Sequence, residues 1–379
     1  MKSSRVYTKD IVSLFVYLIE WVGSKIYSLI SVFFGSAERG VYGFNSPHGL
    51  SDNAYYLLLH YLENGLDCIW FENAKDDLNK LHDLKLNYPK LKVVKANSIS
   101  ATLATLELRF LFITHSYKNV SRIIPDRLIV VNLWHGFPLK KMGYDSAYDK
   151  TLLMKWVNPY SRNDYIIATS ELCKRFFDSC FSIPKDRVLP LGQPRVDNLF
   201  ELEKISSSSA AQFLYAPTFR HRDPYFLYES FIRTFIQKNC GNLTCRFHPK
   251  EVEIARKLSR VFPQVDFSMG GDACLELVGI DVLITDYSSI MLDFMATGNP
   301  IVRYIPDEEE FAHDRSGFYI DIDKVCGDIV TLRSIDDVKE LDIERHLSHL
   351  TIAKEVAYQF NTPNACRNIY HFSKRLTHK

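Results

Sequence analysis

The sequence has no charge of one sign to spare. Its 46 Lys+Arg against 45 Asp+Glu leave a net +1 over 379 residues, so no chain-wide field draws a polyanion such as duplex DNA. Cysteine is sparse: eight are scattered along the chain and none forms a Cys-x-x-Cys pair, which reads as reduced thiols of a cytosolic protein. Four signatures are missing as well: His-Glu-x-x-His, Gly-x-x-x-x-Gly-Lys-Ser/Thr, Gly-x-Ser-x-Gly and Gly-x-Gly-x-x-Gly. Zinc hydrolases, P-loop kinases, serine esterases and dinucleotide oxidoreductases all lose support. No repeat of roughly 20 to 50 residues is visible, which sets aside solenoids and propellers.

What is present is globular. Hydrophobic residues make up 46%, aromatics 13% and charged residues 24%, too apolar for a disordered or fibrous chain. At roughly 150 residues per domain the length suggests two to three domains.

Ile11 to Phe34 is a mostly apolar stretch that would span roughly 36 Å as a helix, enough to cross a bilayer. Ser13, Tyr17, Glu20, Ser24, Ser28 and Ser31 recur within it at spacings of three and four, one polar stripe about 80° wide. Three readings stand: an in-plane membrane helix with its stripe toward water or the protein body, a single span in which Glu20 costs a few kcal/mol unless paired, and a helix packed on the globular core. A signal peptide fits poorly, because the segment is too long and Gly35 to Arg39 is a poor cleavage site.

Beyond residue 35, strands alternate with helical stretches, the pattern of parallel sheets covered on both faces. The expected strands are 66–71, 91–95, 109–114, 127–133, 164–169 and 187–191, then 212–216, 243–247, 264–267, 281–285 and 300–305. The serine-rich piece Glu201 to Ala210 has linker character, and the domain boundary is placed there. Ligands of such sheets sit outside the carboxyl ends of the strands.

The informative motifs fall at those ends. Val130-Val-Asn-Leu-Trp-His135-Gly-Phe-Pro runs an apolar strand into a turn, presenting His135 as a general base near neutral pH; the alternative is a strand-end histidine tied to a carbonyl. Leu243-Thr-Cys-Arg-Phe-His248-Pro-Lys250 repeats the device, and a His/Lys pair there can hold phosphate oxygens or protonate a leaving group. Asp281-Val-Leu-Ile-Thr-Asp286-Tyr-Ser288-Ser289 leads into a helix that ends at Gly298. Ser288 and Ser289 on its first turn suit a phosphate, Asp293 on the same face suits ribose hydroxyls, and helix capping by Asp286 or Ser288 is the competing account. Tyr215-Ala-Pro-Thr218-Phe-Arg220 offers an arginine for a bidentate phosphate clamp or for a surface ion pair. Leu191-Gly-Gln-Pro-Arg195-Val-Asp197 and Arg315-Ser-Gly317-Phe-Tyr319 read as turns with surface ion pairs when taken alone.

Together, Trp134-His-Gly-x-Pro, Gly192-x-Pro-Arg-x-Asp197, Tyr215-Ala-Pro-Thr-Phe-Arg220, Phe247-His-Pro249 and Thr285-Asp-Tyr-Ser-Ser-x-x-x-Asp293 resemble, in order, the CDP-glycerol glycerophosphotransferase family of teichoic-acid primases and polymerases. Phe34-Gly-Ser36 and Asp52-Asn53 resemble its N-terminal signature, whereas Cys326-Gly327 stands where many members have Pro-Gly.

The resemblance implies an α/β GT-B fold: two Rossmann-like domains facing a cleft, with an amphipathic helix 1–34 on the cytoplasmic membrane face, an acceptor domain 35–204 and a CDP-donor domain 205–379 that includes the C-terminal helices. It implies catalytic His135 and His248, phosphate contacts from Ser288, Ser289, Arg220 and Thr218, a ribose contact from Asp293, and further donor contacts from Arg315, Lys250 and Gly136. The expected reaction moves glycerol phosphate from CDP-glycerol to a membrane-linked saccharide acceptor and releases CMP. CDP-ribitol, a capsule polymer and another GT-B sugar-nucleotide transferase are the rivals, and a non-catalytic membrane scaffold is the rival of another class. The length resembles the single-addition primases. No tightly bound cofactor or metal and no nucleic-acid partner is expected, a diffusible Mg²⁺ can assist the phosphates, and the oligomeric state stays open.

Overall fold

The computed structural model describes residues 2–33, 40–147, 154, 157–202, 211–220, 222–238, 241–268, 271–309, 317–321, 329–340, 352 and 354–377. They group into two compact units: residues 1–136, 142–197 and 362–379 in unit 1, and 137–141 and 198–361 in unit 2.

Unit 1 is built on seven parallel strands: β1 (Val41–Asn45), β2 (Cys68–Glu72), β3 (Leu91–Lys95), β4 (Leu108–Ile113), β5 (Ile129–Asn132), β6 (Tyr165–Ile167) and β7 (Val188–Leu189), in the order β3-β2-β1-β4-β5-β6-β7. Side chains alternate across the sheet, as a two-residue period requires. Phe110 and Phe112 join Tyr42, Phe44 and Trp70 in the core on one face, while Leu111 and Ile113 join Ile69 and Phe71 on the other. Both faces are therefore covered, as expected for parallel strands.

The central strand β1 is absent from the strands expected from sequence. Its five residues are interrupted by Gly43, which normally weakens a strand reading. Here the glycine is required: a Cβ at Gly43 would stand 2.6 Å from Leu108 Cδ1 and 3.0 Å from the Phe71 ring.

Helix α1 (Lys2–Phe33) lies along unit 1 with its polar stripe toward the body. Glu20 is buried and ion-paired with Lys118 and Arg122, Lys25 pairs with Asp126 at 2.6 Å, and Tyr27 Oη donates to the Thr102 carbonyl at 2.5 Å. Phe15, Leu18, Ile19, Trp21, Ile26, Leu29 and Val32 point away and are exposed. Ser13–Val32 is long and apolar enough to cross a membrane by length and composition. A cavity of about 1140 Å³ lies under the helix, lined by Tyr17, Glu20, Lys118 and Arg122 among others.

Unit 2 carries six parallel strands: β8 (Gln212–Ala216), β9 (Asn242–Arg246), β10 (Asp266–Ser268), β11 (Val282–Thr285), β12 (Ile301–Tyr304) and β13 (Val330–Leu332), ordered β10-β9-β8-β11-β12-β13. The short β13 is a second strand that the sequence pattern did not suggest. Phe213, Tyr215, Phe231, Phe235, Ile284 and Val302 lie in its core.

Three chain segments depart from the expected 204/205 division: the described residues 198–202 already group with unit 2, and two further segments change sides. The helix Ala365–Thr377 packs with unit 1: the Asp197 carboxylate accepts from the N–H groups of Ala365 and Cys366 at 2.7 and 2.8 Å, and the hydroxyls of Tyr61 and Ser373 meet at 2.7 Å. Residues 137–141 belong to unit 2, where the Lys141 N–H donates to Gly317 and the Tyr319 N–H to Leu139, both through main-chain carbonyls. Most of the linker-like piece, 203–210, lies outside the described residues.

Candidate active site

In each sheet the strand order reverses once, between β1 and β4 in unit 1 and between β8 and β11 in unit 2. At such a switch point the connections diverge and leave a crevice beyond the carboxyl strand ends. The sequence motifs converge on these two places.

In unit 1 the Trp134-His135-Gly136 turn follows β5. Trp134 adopts φ +54 and Gly136 φ +129, left-handed values that cost a tryptophan of order 1–3 kcal/mol and that a glycine tolerates. Neighbouring side chains hold the turn in place. The Trp134 N–H donates to Asn132 Oδ1 at 2.9 Å, and Asn53 Nδ2 donates to the Trp134 carbonyl at 3.0 Å. Asn53 Oδ1 in turn accepts from the Arg195 N–H, and the Arg195 guanidinium pairs with Asp52 at 2.9 Å, both side chains being largely buried. The Asp52-Asn53 pair, which resembles the family's N-terminal signature, and the Gly-x-Pro-Arg motif, which reads as a surface turn when taken alone, are thus the frame of the histidine turn.

His135 stands in this frame between two rings, Trp134 on one side and His115 on the other, each with centroids 4.3 Å away and near-parallel planes. Its Nδ1 lies 3.2 Å from the Thr114 carbonyl. A carbonyl only accepts, so Nδ1 carries the proton and Nε2 is left as the acceptor, the tautomer a general base needs. Burial pushes the His135 pKa below its ordinary value, with Asp52 opposing the shift. His115 is pushed down to about 3 by burial and by His135. His48, whose ring meets His115 edge-on at 5.0 Å, is lowered by burial and by Lys75.

Unit 2 presents His248 in the opposite tautomer. It caps a short turn, and its Nδ1 accepts the Lys250 N–H at 3.2 Å, which places the proton of the neutral ring on Nε2 as a donor. His248 and Lys250 are exposed, and Lys250 Nζ lies 5.0 Å over the Phe219 ring. Ser288 and Ser289 are half-buried at the start of the helix Ile290–Phe294, and Ser289, at its N-cap, makes no side-chain capping bond. That helix is only five residues long, so local N–H groups and hydroxyls, more than a macrodipole, would attract an anion there.

Three expected donor contacts are placed differently from expectation. Arg220 is enclosed: Nε and Nη2 lie 2.6 and 3.1 Å from the Asp307 carboxylate, and Nη1 lies 2.8 Å from Asp286 and 2.5 Å from the Thr218 carbonyl. Thr218 gives both its N–H and its hydroxyl to Asp286. Asp286, 1% exposed, therefore ties the end of β8 to the end of β11 and does not cap the helix. Asp293 is 3% exposed, in the buried row with Met291, Leu292 and Phe294, and offers a ribose little surface. Gly136 lies in the histidine turn of unit 1, and Arg315 lies outside the described residues.

Sequence reasoning missed His115, His48, Asp307 and Glu251. Glu251 is 2% exposed, accepts from Tyr228 Oη and the Arg220 N–H, and is raised in pKa by burial. Its position directly after His248-Pro-Lys250 was the available signal. Among the described residues no group of three or more His, Cys, Asp or Glu is placed to hold a metal ion.

Residues 28–372 match the family model described as CDP-glycerol:poly(glycerophosphate) glycerophosphotransferase. The chain is 28% identical over 242 residues to a teichoic acid poly(glycerol phosphate) polymerase of Bacillus spizizenii, covering 57% of this chain and 61% of the relative. It is 26% identical over 227 residues to a teichoic acid ribitol-phosphate primase of the same species, covering 52% and 57%. It thus spans about three-fifths of the length of these two relatives. A structure of the wall teichoic acid polymerase TagF superposes with a TM-score of 0.72 at 19% identity, over 100% of this chain and 97% of that one; at this identity the likeness concerns the fold.

Proposed function

Because the chain belongs to the CDP-glycerol:poly(glycerophosphate) glycerophosphotransferase family, we propose that it transfers glycerol phosphate from CDP-glycerol to a hydroxyl of a lipid-linked saccharide acceptor at the cytoplasmic face of the membrane, releasing CMP. The observation that carries this reading is His135, held between two rings with Nδ1 bonded to a carbonyl and Nε2 left as an acceptor.

In this reading His135 Nε2 takes the proton of the acceptor hydroxyl, and the oxygen forms a bond to the β-phosphorus of the donor. The bond from that phosphorus to the bridging oxygen breaks, its electron pair leaving with CMP. Transfer of this kind depends mainly on positioning and on neutralising charge at the phosphoryl oxygens. The Nε2–H of His248, the hydroxyls of Ser288 and Ser289 and the Lys250 ammonium are the groups of unit 2 suited to that task. Arg220 and Thr218 serve one step back, holding Asp286 and the strand ends. Ribose recognition by Asp293 requires that its buried side of the helix open, and Arg315 and Gly136 remain further donor contacts in this proposal. The exposed apolar face of α1 supports attachment to the membrane surface.

The ribitol-phosphate primase matches almost as well as the glycerol-phosphate polymerase, which favours CDP-ribitol as the second donor to test. Purified protein with a lipid-linked disaccharide acceptor should release CMP from one of the two donors. His135→Ala should lower that release by about 10²- to 10⁴-fold, the usual worth of a general base. Undiminished release by the variant would refute the role of His135.

A further inference from the structure

His135 is one of three histidines gathered beyond the ends of β1, β4 and β5. Ile113 of β4 lies level with Asn132 of β5, so the loops that follow rise side by side and bring Thr114-His115 against Trp134-His135. The two imidazole planes differ by only 12°, with centroids 4.3 Å apart. His115 is fixed in turn: its Nδ1 lies 3.0 Å from Thr114 Oγ1, its carbonyl accepts from Asn132 Nδ2 at 2.8 Å, and His48 closes over it edge-on.

We propose that His115 is a positioning residue for the transfer reaction: its ring, stacked flat on His135, sets the plane of that imidazole and shields it from water, so that Nε2 stays presented as the proton acceptor. This rests on the reading of His135 as the base. Thr114 links the two rings, since its carbonyl receives His135 Nδ1 while its hydroxyl meets His115 Nδ1. One short segment thereby fixes both the tautomer and the tilt of the base.

Among the described residues the charged groups around His135 are few. Asp52 comes from the start of the helix Asp52–Glu63 and favours the protonated ring, whereas Arg195, from the turn Pro194–Val196, and His48 oppose it. Lys75, from the loop after β2, acts through His48, with Nζ 3.4 Å from His48 Nδ1. Burial outweighs them all. His115, itself neutral down to about pH 3, acts as an uncharged cover and not as a second proton carrier.

The test uses the full chain with His115→Ala and His115→Phe, and two readouts: the pH profile of CMP release, and the NMR titration of the His135 ring, which needs no turnover. His115→Ala should move the acid limb of kcat/KM and the ring titration together to higher pH, toward the ordinary histidine value of about 6.5, and lower kcat about ten- to a hundredfold. The KM for the donor should stay unchanged. His115→Phe keeps a flat apolar cover and should leave both midpoints where the wild type has them. Unmoved midpoints in His115→Ala, or equal shifts in the two variants, would overturn the proposal. If the wild type releases no CMP, the transfer reading fails, and the ring titration alone decides the stack.

Discussion

Four histidines of unit 1, His48, His60, His115 and His135, stay neutral below the pH at which a free imidazole takes a proton, and folding stability must follow. Under about pH 6.5 the unfolded chain binds protons that folded His115 refuses until about pH 3. Its contribution is therefore complete above about pH 6.5 and is lost progressively as the pH falls through that window. At pH 5 the loss from His115 alone is about 2 kcal/mol, and His48, His60 and His135 act in the same direction. Urea midpoints between pH 7 and 4 should fall accordingly, and His115→Phe should flatten the fall; a flat wild-type profile would contradict it. Arg220 gives a second residue-scale prediction. Its guanidinium is 9% exposed between Asp286 and Asp307, so Arg220→Ala leaves two carboxylates uncompensated and should cost about 3–5 kcal/mol in the stability of unit 2. Unchanged stability with weaker donor binding would make Arg220 a phosphate clamp after all.

At the scale of elements, α1 turns ion pairs and hydroxyls inward and its large apolar side chains outward. Replacing the exposed Phe15, Leu29 and Val32 by aspartate should abolish co-sedimentation with anionic vesicles and leave the melting temperature of the chain in place. Equal pelleting of wild type and variant would show that the membrane is held elsewhere. The polar stripe of α1 was legible in the sequence because its spacing is a property of one helix. So were most strands, and the strand-end places of His135 and His248, because each histidine ends an apolar run and is followed by glycine or proline. β1 was not: Gly43 breaks its pattern, and the reason for Gly43 is the Leu108 side chain pressed against it from a neighbouring strand. With β1 unseen, His48 behind it had no strand end to mark it. Thr114-His115-Ser116 lacks turn punctuation, so only the pairing of β4 with β5 reveals it. The enclosure of Arg220 depends on Asp307, 87 residues away, a partner that no local pattern announces.

Across the whole molecule, one strand order is used twice, and each unit gathers its polar groups at the point where that order reverses. The two strand-end histidines differ in tautomer: the His135 ring of unit 1 leaves a nitrogen that accepts, and the His248 ring of unit 2 leaves one that donates. Neither tautomer follows from the sequence, since each is set by a main-chain partner that folding supplies. In the proposed reaction the chain attaches a polyol phosphate to an acceptor hydroxyl. The most direct measurement is mass spectrometry of a lipid-linked disaccharide after incubation with the protein and CDP-glycerol, beside CDP-ribitol and the His135→Ala variant. The acceptor should gain glycerol phosphate in step with CMP released, and show no gain with the variant. An acceptor unchanged with both donors would contradict the proposed reaction.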